Sequence, residues 1–128
     1  MLCFDTSSLI AYLQGDTGKD VDLIDQALKD EVGAVSPVTV TELLSDHKIS
    51  TALKGTILQL PVLHLTEGFW ERAGMLRAAA LRSGRRANLA DTLIAQNCLD
   101  HQATLVTRDR DFKVFTSVAE LRVAIPFS

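Results

Sequence analysis

Residues 2–13 read LCFDTSSLIAYL, and the fold turns on how this stretch is divided. Leu2-Cys3-Phe4 is apolar but too short for a helix. It stops at a carboxylate, Asp5, and three hydroxyl residues, Thr6, Ser7 and Ser8, follow before a helical apolar pattern runs to Leu13. The division that fits is a buried strand over 2–4 feeding a helix over 7–13. Asp5 is then either the cap of that helix or one corner of an acidic site drawn from distant parts of the chain.

The same alternation recurs downstream. Gly33-Ala34-Val35 reads as a second strand, Val62-Leu63-His64-Leu65 as a third, Thr104-Leu105-Val106-Thr107 as a fourth, and Val123-Ala124-Ile125 as a short fifth. Between them, Val21, Ile24 and Leu28 mark one helix. Ser36-Pro37 starts another that carries Val40, Leu43 and Leu44. A further helix is expected over 47–58, a long one from Thr66 and Glu67 to Gly84, and one from Leu89 to about Asp100 capped by Asn88. Apolar strands alternating with helices predict an α/β fold with a central parallel sheet of four to five strands covered on both faces.

The 128 residues fit a single domain, 1–128, able to bury roughly two-thirds of its unfolded surface without a staple. No apolar run reaches membrane-spanning length, and MLCFD lacks the basic start of a signal peptide. Cys3 and Cys98 have no CxxC partner and read as buried free thiols of a reducing compartment, so a cytoplasmic location is expected. His47, His64 and His101 show no catalytic or zinc-site spacing. The net charge of −3 argues against a simple basic glove for nucleic acid, though carboxylates gathered around divalent cations would change the local field.

Ligands of open parallel sheets sit beyond the carboxyl ends of the strands. Asp5 follows the first strand and Asp109 the fourth, in TLVTRDRDF. Glu42, in VTVTELL, lies on the helix entered from the second strand, and Asp91, in NLADTLIAQ, lies in the first turn of its helix, where the dipole favours negative charge. Taken singly, each reads more readily as a cap, a first-turn acid or a solvated charge. Together at one sheet edge they would repel unless cations or protons compensated them. Oxygen-only ligands suit hard ions such as Mg²⁺ or Mn²⁺, and the chemistry such a site implies is phosphoester hydrolysis.

FDTSSLI, TELL, ADTLIAQ and LVTRDRDF, in this order across nearly the whole chain, resemble the PIN domain, and in this compact form the VapC toxins of type II toxin–antitoxin systems. The resemblance implies a three-layer α/β/α domain and a Mg²⁺- or Mn²⁺-dependent endoribonuclease. It makes Asp5, Glu42, Asp91 and Asp109 the catalytic, metal-holding acids and Asp111 an auxiliary ligand. Thr6, Ser7 and Thr107 become hydroxyls that organise the site. It further implies a homodimer and a cognate antitoxin whose C-terminal segment blocks the acidic site.

Arg82, Arg85 and Arg86, just before the helix of Asp91, are suited to RNA phosphates, and equally to a solvated helix end. Arg108 and Arg110, interleaved with Asp109 and Asp111, are expected to offset those acids. Two rival functions are a PIN-fold RNA-binding module without catalysis and a metal-dependent phosphatase. The dehalogenase-like phosphatase needs a second Asp two residues after the first, where this chain has Ser7.

Overall fold

The structure, a computed structural model, describes residues 1–127. Three parallel strands form the sheet in the order β2-β1-β3, with β1 (Leu2–Phe4) between β2 (Gly33–Ala34) and β3 (Thr104–Val106). Leu2 pairs with Gly33 on one side and Thr104 on the other. Helices α1 (Thr6–Leu13) and α2 (Lys19–Lys29) join β1 to β2. Helices α3 (Pro37–Leu44), α4 (Thr51–Leu58), α5 (Phe69–Arg82) and α6 (Leu89–His101) lie between β2 and β3. A 3₁₀ turn, Arg110–Phe112, and α7 (Lys113–Val118) follow β3.

The period-2 alternation of side chains divides the core in two. Cys3, Ala34 and Leu105 point to one face, into a cluster with Leu76, Ile94, Cys98, Phe112 and Phe115. Phe4, Val35 and Val106 point to the other, into a cluster with Leu9, Ile24, Leu43 and Ile57. Helices thus cover both faces, which is why the strands read as apolar throughout. A Cβ on Gly33 would stand 2.2 Å from Phe4 Cζ, so the second strand needs glycine there to admit the ring. Cys3 and Cys98 are free and buried, as expected.

Among the described residues the expectation of four to five strands is corrected to three. Val35 and Val62 form a single parallel bridge, closed by Val35 N–H to Pro61 O and Leu63 N–H to Val35 O, both 2.9 Å. Of residues 62–65 only Leu63 is buried, and the His64 carbonyl bonds Asn97 Nδ2 and His101 Nε2 instead of a strand. Val123 likewise makes one bridge to Leu105, and Pro126, lacking an N–H, follows three residues later. The helix expected over 47–58 starts at Thr51. Asp46 accepts from Lys48 N–H in a local turn, and Ser50 caps Leu53 N–H.

All three strands end at one edge. Asp5 follows β1, Ser36 stands near the end of β2, and Thr107 follows β3. Helix α6 runs back along the sheet into β3, so its N-terminus, with Asp91, lies at that same edge.

Candidate active site

Asp5 answers the opening choice with both readings. It is the N-cap of α1, accepting from Ser7 N–H at 3.3 Å. It is also almost wholly buried, at 3% exposure, and that is more than a cap requires. Ser7 Oγ donates to Asp5 Oδ2 at 2.7 Å and Thr107 Oγ1 donates to the same oxygen at 2.8 Å. Burial raises the Asp5 carboxyl above its usual range against the pull of these bonds.

Asp91 is the third residue of α6. The cap side chain of Asn88 grips it twice, accepting from Asp91 N–H at 2.7 Å and donating through Nδ2 to Asp91 Oδ2 at 2.7 Å. Its carboxyl is pushed up to about 6, first by burial and then by the charges of Asp109, Asp5 and Asp111. Asp109 caps the 3₁₀ turn through Asp111 N–H at 2.9 Å, and its own N–H donates to Thr107 Oγ1 at 3.0 Å.

Carboxylate oxygens of Asp91, Asp109 and Asp111 lie within 4.8 Å of one another. Asp5 faces this trio closely enough to raise Asp91. Glu42 sits apart on the exposed face of α3, where Thr6 Oγ1 donates to its Oε1 at 2.6 Å. The trio thus includes Asp111, an auxiliary in the sequence reading, and among the described residues the Glu42 side chain is linked only to Thr6, the residue after Asp5.

Among the described residues, no lysine or arginine nitrogen lies within 4.0 Å of a carboxylate oxygen of Asp5, Glu42, Asp91, Asp109 or Asp111. Convergent carboxylates without a protein cation, all hard oxygen donors, fit a divalent ion such as Mg²⁺ or Mn²⁺. Asp91, Asp109 and Asp111 would hold it, with Asp5 at the wall.

Arg108 does not offset the acids beside it. Its guanidinium grips Asp20 on α2, Nε to Oδ2 at 2.7 Å and Nη2 to Oδ1 at 2.9 Å. Sequence reasoning passed over Asp20, because an acid in a helix's first turn is unremarkable. Its signal, the buried Ser8 that donates to Asp20 Oδ2 at 2.7 Å, emerges only from the packing. Arg72, upstream of the basic cluster, is committed to Asp100 through Nε and Nη2 at 2.9 and 2.7 Å. Arg82, Arg85 and Arg86 are exposed. Arg85 and Arg86 line a cleft with Arg110, Lys113 and Asp111, next to the acidic trio, and Arg82 does not line it.

A parallel sheet whose carboxyl edge gathers acids from β1, α6 and the β3 exit defines the architecture, and the PIN domain family profile matches residues 2–117. The chain belongs to the PIN domain family. Among named relatives, it is 28% identical to "Ribonuclease VapC11" of Mycobacterium tuberculosis and to "VapC ribonuclease Mb1587" of Mycobacterium bovis, over 97% of this chain and 98% of each relative. Its fold is shared with VapBC2 from Rickettsia felis bound to a promoter DNA fragment (TM-score 0.74, 20% identity, covering 95% of this chain and 96% of that one). It is shared also with VapBC-5 of the Mycobacterium tuberculosis toxin–antitoxin systems (TM-score 0.65, 22% identity, 94% of both chains). Among the described residues no helix is long and apolar enough to cross a membrane.

Proposed function

We propose that the chain is a divalent-metal-dependent endoribonuclease, the toxin of a VapBC-type toxin–antitoxin pair. The observation that carries this reading is the convergence of the Asp91, Asp109 and Asp111 carboxylates beside buried Asp5, with no protein cation among them. The names of the VapC relatives supply the substrate class.

When bound, Mg²⁺ or Mn²⁺ would activate the attacking water and stabilise the leaving oxygen of the RNA phosphodiester. The protein's share is to fix the acids. Ser7 and Thr107 hold the Asp5 carboxylate from one side, Asn88 orients Asp91, and Thr107 also takes the Asp109 N–H, so one hydroxyl ties the β1 and β3 exits together. Glu42, held by Thr6, completes the acidic row at the rim. In its catalytic form the row is ionised, so Asp91 must lose its proton above about pH 6.

The two ends of this row differ. At the Asp111 end the cleft of Arg85, Arg86, Arg110 and Lys113 suits the phosphates of an RNA strand. At the Glu42 end a groove of about 140 Å³ is lined by Ile10, Leu13, Leu43, Ile49, Leu53 and Ile57, with Glu42 and Asp46 on its lip. That end repels a phosphate chain and suits an apolar peptide carrying a cation, the chemistry expected of an antitoxin segment.

The test is incubation of purified, antitoxin-free chain with total bacterial RNA, in Mg²⁺, in Mn²⁺ and in chelator, beside an Asp5→Asn control. Discrete fragments that need both metal and Asp5 are expected. Folded protein that binds metal and RNA yet cuts nothing would replace the enzyme by a non-catalytic binding module.

A further inference from the structure

The loop carrying Thr107 and Asp109 is tied down by a pair of groups outside the acid cluster. The Arg108 guanidinium meets the Asp20 carboxylate as a two-pronged fork at 2.7 and 2.9 Å, a geometry lysine cannot reproduce. Asp20 is 5% exposed, and Ser8 supplies its third bond at 2.7 Å. The Arg108 bonds hold the Asp20 carboxyl down at about 2, so the pair is charged across the working pH range. The preceding loop is shaped around the pair. Gly18 adopts φ +145°, and a Cβ there would stand 2.7 Å from Asp20 Oδ1 and 3.4 Å from Arg108 Nη2.

From Arg108 the path to the acids is short. Its backbone N–H donates to Ser7 Oγ at 3.4 Å, and Ser7 Oγ in turn bonds Asp5. On either side of it in sequence stand Thr107, which bonds Asp5, and Asp109, whose N–H bonds Thr107. Arg108 is also adjacent in sequence to Asp109 and three residues from Asp111. Left without Asp20, its guanidinium would be a competitor for the oxygens that a divalent ion needs.

We infer that the Asp20–Arg108 pair is a positioning device for the acidic site: it pins the β3-exit loop so that Thr107 and Asp109 meet Asp5, and it keeps the Arg108 charge away from the metal-binding carboxylates. The inference about metal stands on geometry alone, and its kinetic consequence rests on the ribonuclease reading.

The experiment is a Mn²⁺ titration, followed by electron paramagnetic resonance, of wild type, Asp20→Ala, Arg108→Ala, Arg108→Lys and the Asp20→Ala/Arg108→Ala double variant, each first shown folded by circular dichroism. Loss of a group that supports metal ligands weakens affinity by about tenfold or more. Both single alanine variants are expected to show about that loss, Asp20→Ala the larger because it frees the guanidinium. The double variant should resemble Arg108→Ala, since the two residues act as one unit. Arg108→Lys should restore only part of the affinity. In RNA cleavage, kcat should fall and KM should hold.

Unchanged Mn²⁺ affinity in folded variants, with only a lower Tm, would overturn the inference and leave a purely structural ion pair. A raised KM with unchanged Mn²⁺ affinity would overturn it too, making Arg108 a phosphate contact. If a single variant fails to fold, the double variant, which leaves no unpaired charge, carries the same readout. Pair-dependent Mn²⁺ binding in a chain that cuts no RNA would uphold this inference while removing the ribonuclease reading.

Discussion

Two buried aspartates stand near the same sheet edge and have opposite electrostatics. Asp20 is met by a guanidinium and a hydroxyl, and its carboxyl is held down at about 2. Asp5 is met by hydroxyls and backbone N–H groups, and burial pushes its carboxyl up. Their exposures are similar, 5% and 3%, so burial does not separate them. What separates them is whether the chain itself supplies the cation. Where it does, the acid is a strut. Where it does not, and further acids crowd in, the chain leaves an uncompensated negative charge that a divalent ion would offset.

The sharpest way to break the comparison is to neutralise one acid of each kind. Asp5→Asn should reduce metal-dependent cleavage by more than the roughly 10–100-fold that losing a merely supporting group costs. Cleavage by Asp5→Asn at the wild-type rate would remove Asp5 from the site. On stability the ranking reverses. Breaking a buried ion pair typically costs about 3–5 kcal/mol, but Arg108 is 41% exposed, so Asp20→Ala should destabilise by about 2 kcal/mol in urea unfolding. Asp5→Asn should cost less, because it removes a charge that no cation offsets.

Acid titration sharpens the contrast through its sign. Asp91 has a folded pKa near 6, above its unfolded value, so the metal-free protein is most stable below about pH 4 on this group's account and loses that contribution as pH rises through 6. Asp20, lowered to about 2, contributes stability above about pH 4 that is lost as pH falls toward 2. Asp91→Asn should therefore stabilise the metal-free chain at pH 7.5 by about 1–2 kcal/mol, after allowance for its partial exposure, while abolishing metal binding. Calorimetry with and without Mn²⁺ checks both halves. Wild-type metal affinity should also weaken below pH 6, since binding must expel the Asp91 proton.

The smallest effect belongs to Thr107→Val, which removes the hydroxyl shared by Asp5 and Asp109. About a tenfold loss in metal affinity is expected, with little change in Tm, read by the same Mn²⁺ titration.

Much of this arrangement was legible in the residues. The β1 and β3 stretches, the Ser36-Pro37 start and the Asn88 cap all lie where local chemistry put them, because caps and short apolar runs are local signals. The strands expected at 62–65 and 123–125 shrank to single bridges, because pairing depends on where the chain turns next, and that is not local. The positions of the acids could be read from strand ends. The commitment of Arg108 to Asp20, 88 residues away in sequence, could not, so Arg108 was mistaken for a counter-charge to its sequence neighbours. The convergence of Asp111 with Asp91 and Asp109 was not legible for a related reason: it depends on the 3₁₀ turn that Asp109 caps, and a run of RDRDF does not announce that turn.

The most direct test of the contrast is one Mn²⁺ titration of three folded proteins: wild type, Asp5→Asn and Asp20→Asn. Loss of binding in Asp5→Asn, beside tight binding in wild type and measurable binding weakened by at least about tenfold in Asp20→Asn, is the expected pattern. Wild-type affinity in Asp5→Asn, or equal loss in both variants, would contradict the claim that an acid without a protein cation marks the metal site.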